Sequence, residues 1–163
     1  MTQSFNFSQG IDISNADGIH ECFHINGDNI LANISFENLM PLLRELCKSL
    51  KAPLFFFMEL PCDEEKEKSL KEKDGGNFHK DIYYLDNCTT SVIQAILKRY
   101  GDLLLNDGLV QFGFASHEDE DEIYVTKYKL LNIYSKKINI YADILKKSGV
   151  PLEDKIKTVW DNF

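Results

Sequence analysis

Glu122-Ile123-Tyr124-Val125-Thr126-Lys127-Tyr128-Lys129-Leu130-Leu131-Asn132-Ile133-Tyr134-Ser135 decides the fold class. Ile123, Val125 and Lys127 fall on one side of an extended chain, and Tyr124, Thr126 and Tyr128 on the other. That period of two marks a half-buried strand. A bend or hairpin near Tyr128-Lys129 divides the stretch. Just upstream, Asn106-Asp107-Gly108 turns into Leu109–Ser116, a strand with Gly113 between two phenylalanines. Strands that follow one another this closely pair antiparallel.

Working outward, Leu54–Leu60 and Asp81–Leu85 read as two central strands. The first part of the chain reads as short strands over Ser4–Ser8, Ile19–Ile25 and Asn29–Ile34, the last two joined by the hairpin signal Asn26-Gly27-Asp28. Leu39, Leu42, Leu43, Leu46 and Leu50 keep helical spacing. Pro41 is tolerable only in a first turn, which predicts a start near Asn38. Thr89 or Thr90 caps a second helix with a stripe of Val92, Ile93, Ile96, Leu97 and Tyr100, closed by Gly101. Two more helices, about Asn139–Lys147 and Leu152–Asn162, are separated by Gly149-Val150-Pro151. The charged stretch 66–77 reads as a mobile surface loop. At 163 residues the expectation is one α+β domain, 1–163. It would hold a largely antiparallel sheet packed with about four helices.

Apolar residues make up 44 % and charged residues 27 %, which excludes a disordered chain. The longest apolar run, Pro53–Met58, is strand-length and too short to span a membrane. Met1-Thr-Gln-Ser-Phe-Asn6 carries no secretion signal. Cys22, Cys47, Cys62 and Cys88 include no C-x-x-C and read as reduced, buried thiols. A cytoplasmic protein is the expectation. Net charge is −8, unevenly spread: residues 1–125 carry 22 acids and 10 bases, residues 126–163 only 4 acids against 8 bases. An acidic surface repels phosphate, which disfavours nucleic acid and favours a basic protein partner.

His20-Glu21-Cys22-Phe23-His24 is a literal H-E-x-x-H. On a helix that spacing sets two imidazoles on one zinc beside a general base. Here it lies between Asp17-Gly18 and Asn26-Gly27, and alternation favours a strand, where residues four apart are separated by about 13 Å. A polar hairpin edge is the plainer reading; a metal site using His20, Cys22 and His24 on one strand face with ligands from elsewhere is the sharper one. There is no G-x-S-x-G turn, no phosphate-binding glycine loop and no EF-hand pattern in Glu118–Glu122. The residues point to no cofactor. Phe55, Phe56, Phe57, Tyr83, Tyr84, Phe112 and Phe114 read mostly as core. Tyr124, Tyr128 and Tyr134 read either as a surface patch or as an ordinary half-buried sheet.

A resemblance rests on Glu59-Leu60-Pro61, Asp81-Ile82-Tyr83-Tyr84-Leu85, Leu104-Leu105-Asn106-Asp107-Gly108 running into Phe112-Gly113-Phe114, and Asp121-Glu122-Ile123. It continues through Lys127-Tyr128-Lys129, Ile133-Tyr134-Ser135 and Trp160-Asp161-Asn162-Phe163. From Phe55 onward the chain resembles small bacterial proteins encoded beside polymorphic or contact-dependent toxins and taken to be their immunity proteins. The resemblance implies a non-enzymatic cytoplasmic inhibitor whose partner is a toxin domain, and brings no catalytic residues. The expected contact surface is Glu118, Asp119, Glu120, Asp121, Glu122 and Tyr124, with Glu64 and Glu65 behind them. The rival expectations are a zinc-dependent hydrolase built on His20, Glu21 and His24, and a general protein-interaction adaptor.

Overall fold

Among the described residues every strand pair is antiparallel, and seven strands make one sheet whose lateral order is Cys22–Asn26, Asn29–Asn33, Leu131–Tyr134, Glu122–Val125, Gln111–Ser116, Leu54–Pro61 and Lys80–Cys88. The computed structural model describes residues 5–8, 11, 16–76 and 78–162. The strands are β1 Cys22–Asn26, β2 Asn29–Asn33, β3 Leu54–Pro61, β4 Lys80–Cys88, β5 Gln111–Ser116, β6 Glu122–Val125 and β7 Leu131–Tyr134. The helices are α1 Phe36–Cys47, α2 Glu64–Asp74, α3 Thr90–Asn106 and α4 Ile138–Lys147. The architecture is α+β, as expected, and no helix among the described residues is long and apolar enough to cross a membrane.

Alternation sets the two faces of the sheet. Phe23, Ile30, Ala32, Phe56, Phe112, Phe114, Ile123, Val125, Leu131 and Ile133 point one way and form the core with Leu39, Leu43 and Leu46 of α1, Ile93 and Leu97 of α3, and Tyr141 and Leu145 of α4. The opposite parity (Phe55, Phe57, Tyr84, Gly113, Tyr124) lies on the face away from that core. The bend at Tyr128-Lys129 is a short 3-10 turn in which both residues take left-handed backbone, φ +63° and +60°. It separates β6 from β7 as the alternation predicts.

Several expectations are corrected. Residues 66–77 are not a loop: α2 runs to Asp74, its first turn capped by Asp63, whose Oδ1 accepts from the Lys66 N–H at 2.8 Å, and its end closed by Gly75 at φ +71°. Asn77 lies outside the described residues. None of the α2 side chains is buried, so it carries no apolar stripe for a sequence reading to catch. β4 is not central but an edge, and Tyr83 and Tyr84 are exposed rather than core. α1 starts two residues before Asn38, which puts the exposed Pro41 in its second turn. α3 does not stop at Gly101. That glycine is buried mid-helix, where an added Cβ would lie 2.6 Å from Met40 Cε of α1. Its role is helix–helix approach, not termination.

Leu152–Asn162 is no helix either. Leu152 forms a parallel bridge with Phe23, the Phe23 N–H donates to Pro151 O and the Glu153 N–H to Phe23 O, both at 2.9 Å. The backbone groups a helix would need are occupied by β1, and only Val159–Asn162 winds into a 3-10 turn. Residues 5–8 form no strand, and Ser4 lies outside the described residues. The result is an asymmetric sheet. The C-terminal strap covers the β1 edge. Among the described residues no strand or bridge pairs with the outer side of β4.

Candidate functional site

The acidic loop between β5 and β6 is folded onto the chain's own lysines. Glu118 pairs with Lys51 at 2.6 Å, Asp119 with Lys137 at 3.2 Å and Glu120 with Lys136 at 3.5 Å. The loop is fastened from within: Ser116 Oγ donates to Lys51 O at 2.6 Å and the Ser116 N–H to Asp121 O at 2.9 Å. The uneven charge along the chain is thus partly cancelled in space, because two of these lysines come from its basic end. Exposed pairs of this kind contribute about 0–1 kcal/mol each, so solvent or a competing cation can displace them.

Asp121 is different, being only 2 % exposed. Its Oδ2 accepts from the Tyr141 hydroxyl at 2.7 Å, and its Oδ1 has no hydrogen-bond partner among the described residues. Burial, then the bond to Asp121, pushes the Tyr141 phenol far above its ordinary range. Tyr141 is therefore a permanent donor that ties the loop to α4. Tyr141→Phe should lower stability by about 1–2 kcal/mol by leaving a buried carboxylate oxygen without its donor, measured by urea unfolding. A change below a few tenths of a kcal/mol would remove this bond from the account.

Glu122 and Tyr124 lie on the open face of the sheet. Burial raises the Glu122 carboxyl above the usual range. Tyr124 donates to Gln111 Oε1 at 3.1 Å, and its phenol is pushed up to about 12, first by burial and then by the nearby charges of Glu59 and Glu122. Its ring centroid is 5.3 Å from that of Phe57. Phe57 is 6.0 Å from Phe55, and Phe55 is 4.9 Å from His117 and 6.5 Å from Tyr84. The Phe57 ring lies over Gly113, where an added Cβ would be 2.6 Å from Cζ. This aromatic row crosses β6, β3 and β4, and the glycine beneath Phe57 leaves the room its ring occupies.

The row leads to the bare edge. Ile82, Tyr83, Tyr84 and Leu85 are 53, 53, 69 and 47 % exposed, four consecutive large apolar side chains on both faces of β4. Natural edge strands are normally blunted by charge or covered. Here Lys80, Asp81 and Asp86 only flank the apolar run. Glu64 and Glu65 sit exposed in the first turn of α2. Lys66 of that helix pairs with Asp81, and its Glu67 accepts from the His79 N–H at 3.2 Å. Of the expected contact residues, the structure therefore sets Glu122 and Tyr124 on the aromatic face. Glu64 and Glu65 lie on a helix whose next residue reaches the start of β4. Glu118, Asp119 and Glu120 are engaged with lysines, and Asp121 is buried. Ile82 and Tyr84 were missed as surface and Phe55 as half-buried, while Phe57 is buried, as its core reading expected, but on the face opposite Phe56; the parity of Phe55 and Phe57 relative to Phe56 was the available signal for that face.

Cys22, Phe23 and His24 belong to β1, and neither His20 nor Glu21, which sits at a bend, is helical, so the metalloprotease geometry does not form. Glu21 faces the N-terminus of α1, where its Oε2 accepts from the Ser35 N–H at 2.8 Å and from Asn38 Nδ2 at 3.1 Å. It replaces the cap that the Ser35 side chain does not make. His24 Nδ1 donates to Glu153 O at 3.1 Å. His20 Nε2 donates to Glu153 Oε1 at 2.6 Å, which raises its pKa above the ordinary histidine value. Cys22, His20 and Glu153 bring three ligand atoms within 4.8 Å of one another. Burial pushes the Cys22 thiol up to about 11 and the Cys47 thiol to about 12, so neither is a ready nucleophile. No known family, characterised protein or solved structure matches the chain, so its function has to be argued from these side chains.

Proposed function

We propose that the chain is a non-catalytic binding protein that neutralises a cognate toxin domain, holding it on the open edge and aromatic face of the sheet. The observation that carries the reading is the asymmetry of the edges: one is closed by the chain's own strap, and the other presents Ile82, Tyr83, Tyr84 and Leu85 to solvent. A bare edge offers unpaired backbone donors and acceptors to a strand of a partner. Large aromatic side chains beside it supply anchors, and they dominate binding energy where they are desolvated. Asp86 and Glu122 along the same region favour a basic partner and speed its approach, whereas Asp81 and Glu59 are already held by Lys66 and Lys80. Glu118, Asp119 and Glu120 stand further back in this account, because they must first leave Lys51, Lys137 and Lys136.

The toxin part of the reading rests on the short motifs shared with immunity proteins; the adaptor reading shares the same surface. Co-expression with the product of the neighbouring gene separates them. Restored growth and co-purification are expected. Tyr84→Asp should weaken the complex by at least ~30-fold, the scale of a ~2 kcal/mol anchor. A Glu118→Gln/Asp119→Asn/Glu120→Gln triple variant should change it by less than about threefold. Loss of binding in the triple variant with none in Tyr84→Asp would move the interface to the loop, and a partner that is harmless alone would favour the adaptor.

A further inference from the structure

We propose that His20, Cys22 and Glu153 are the ligands of a zinc ion that latches the C-terminal strap to the first strand. Their ligand atoms already lie within 4.8 Å of one another. Around tetrahedral zinc such atoms stand about 3.3–3.6 Å apart, from metal–ligand lengths of about 2.0–2.3 Å. The adjustment is small and falls on the right partners. His20 and Glu153 side chains are 54 and 35 % exposed and free to rotate, so their 2.6 Å hydrogen bond opens by less than about 1 Å to admit the ion. Cys22, 1 % exposed, is the fixed member.

The backbone assembles the set. Phe23 exchanges hydrogen bonds with Pro151 and Glu153, which places Cys22 and Glu153 beside a locked bridge rather than on two independent loops. Second contacts orient the ligands. His20 Nδ1 faces Gly18 O at 3.3 Å, leaving Nε2 for the metal, and His24 Nδ1 donates to Glu153 O. Thiolate, imidazole and carboxylate together suit zinc, whereas magnesium and calcium take oxygen donors alone. On binding, the Cys22 thiol proton and any Nε2 proton of His20 go to solvent, and a water completes the fourth position on the exposed side. The ion closes a loop from β1 to the strap across most of the chain, a linkage that stabilises the folded form. The site does not depend on the toxin reading.

The test uses the full chain without a histidine tag, stripped by chelator and titrated with cobalt(II), then zinc. One equivalent of cobalt is expected, with a near-ultraviolet sulfur-to-cobalt charge-transfer band and strong tetrahedral visible bands, all bleached by zinc. Excess zinc should raise the thermal midpoint. Cys22→Ser should abolish the charge-transfer band. Glu153→Gln, a surface change that keeps the fold by circular dichroism, should weaken zinc binding at least about tenfold, as should His20→Ala. His79→Ala, a distant histidine, should leave affinity unchanged. Less than one equivalent bound, a weak octahedral cobalt spectrum, or equal affinity in Glu153→Gln would overturn the assignment.

Discussion

Gly113→Ala should unfold roughly 10 °C below the parent chain, the consequence of a loss near 3 kcal/mol in a domain of this size. An added Cβ would lie 2.5 Å from Ile123 O and 2.6 Å from Phe57 Cζ. The first of these is backbone in the paired strand β6, which cannot withdraw without opening the β5–β6 ladder. The second is the ring on which Tyr124 packs. Gly101→Ala is the matched control, because its obstruction is the mobile end of Met40 and the gain in helix propensity, about 1 kcal/mol, offsets the crowding. Calorimetry on both variants decides the matter. If Gly113→Ala melts with the parent, the close approach of Phe57 and of the Ile123 carbonyl to residue 113 is not a packing requirement. Because the displaced ring supports Tyr124, the same variant should also lose partner affinity if the aromatic row is the contact.

Lys129→Met should stabilise the chain by about 2 kcal/mol at pH 7, and the gain should fade in alkali. Lys129 is only 5 % exposed, with its ammonium donating to Val110 O and lying 5.9 Å from the Phe112 ring centroid. Burial lowers its pKa from 10.5 to about 8, with the charge of Asp107 pulling the other way. Between those two values the unfolded chain holds a proton that the folded chain has released. Stability of the parent therefore rises with pH across that window and is lowest below it, where the charge stays buried. A shift of this size corresponds to about 3 kcal/mol, reduced by about 1 kcal/mol for the hydrogen bond that methionine cannot make. Methionine keeps an unbranched stem, so the left-handed backbone at φ +60° is no harder to adopt. Urea titrations of both proteins at pH 7 and near pH 10 should show the difference shrink toward zero. An unchanged difference at the two pH values would mean that the ammonium charge is not what costs stability.

β6 and β7 were legible because each buries one parity and half-shows the other, whereas β5, buried along its whole length, was legible from the Asn106-Asp107-Gly108 turn that precedes it. α1 and α4 were legible because each buries a stripe. What failed had physical reasons of the same kind. Glu64–Asp74 buries nothing, so charge alone hid a helix held by its Asp63 cap, its Gly75 end and a Glu67–Lys71 pair at 3.7 Å. Ile82-Tyr83-Tyr84-Leu85 looks like a buried strand because apolar composition does not reveal which strand lacks a neighbour. Lateral order is decided by pairings distant in sequence. Leu152–Asn162 has helix formers, yet β1 takes its first backbone groups. At the site, Glu118–Glu122 was legible as a charge run, but nothing local announces Lys136 and Lys137 as its partners. Nor does anything near His20 and Cys22 point to Glu153, which only the strap brings beside them.

From Phe56 and Leu85, β3 and β4 stay in register as far as Pro61 and Lys80, and α2, strung between those two ends, buries none of its side chains. That segment is a natural graft point. A tight turn could replace it, or a reporter peptide could be spliced into it, with the sheet left intact. Trimming it away would also reveal at a stroke whether Glu64 and Glu65 matter to any partner.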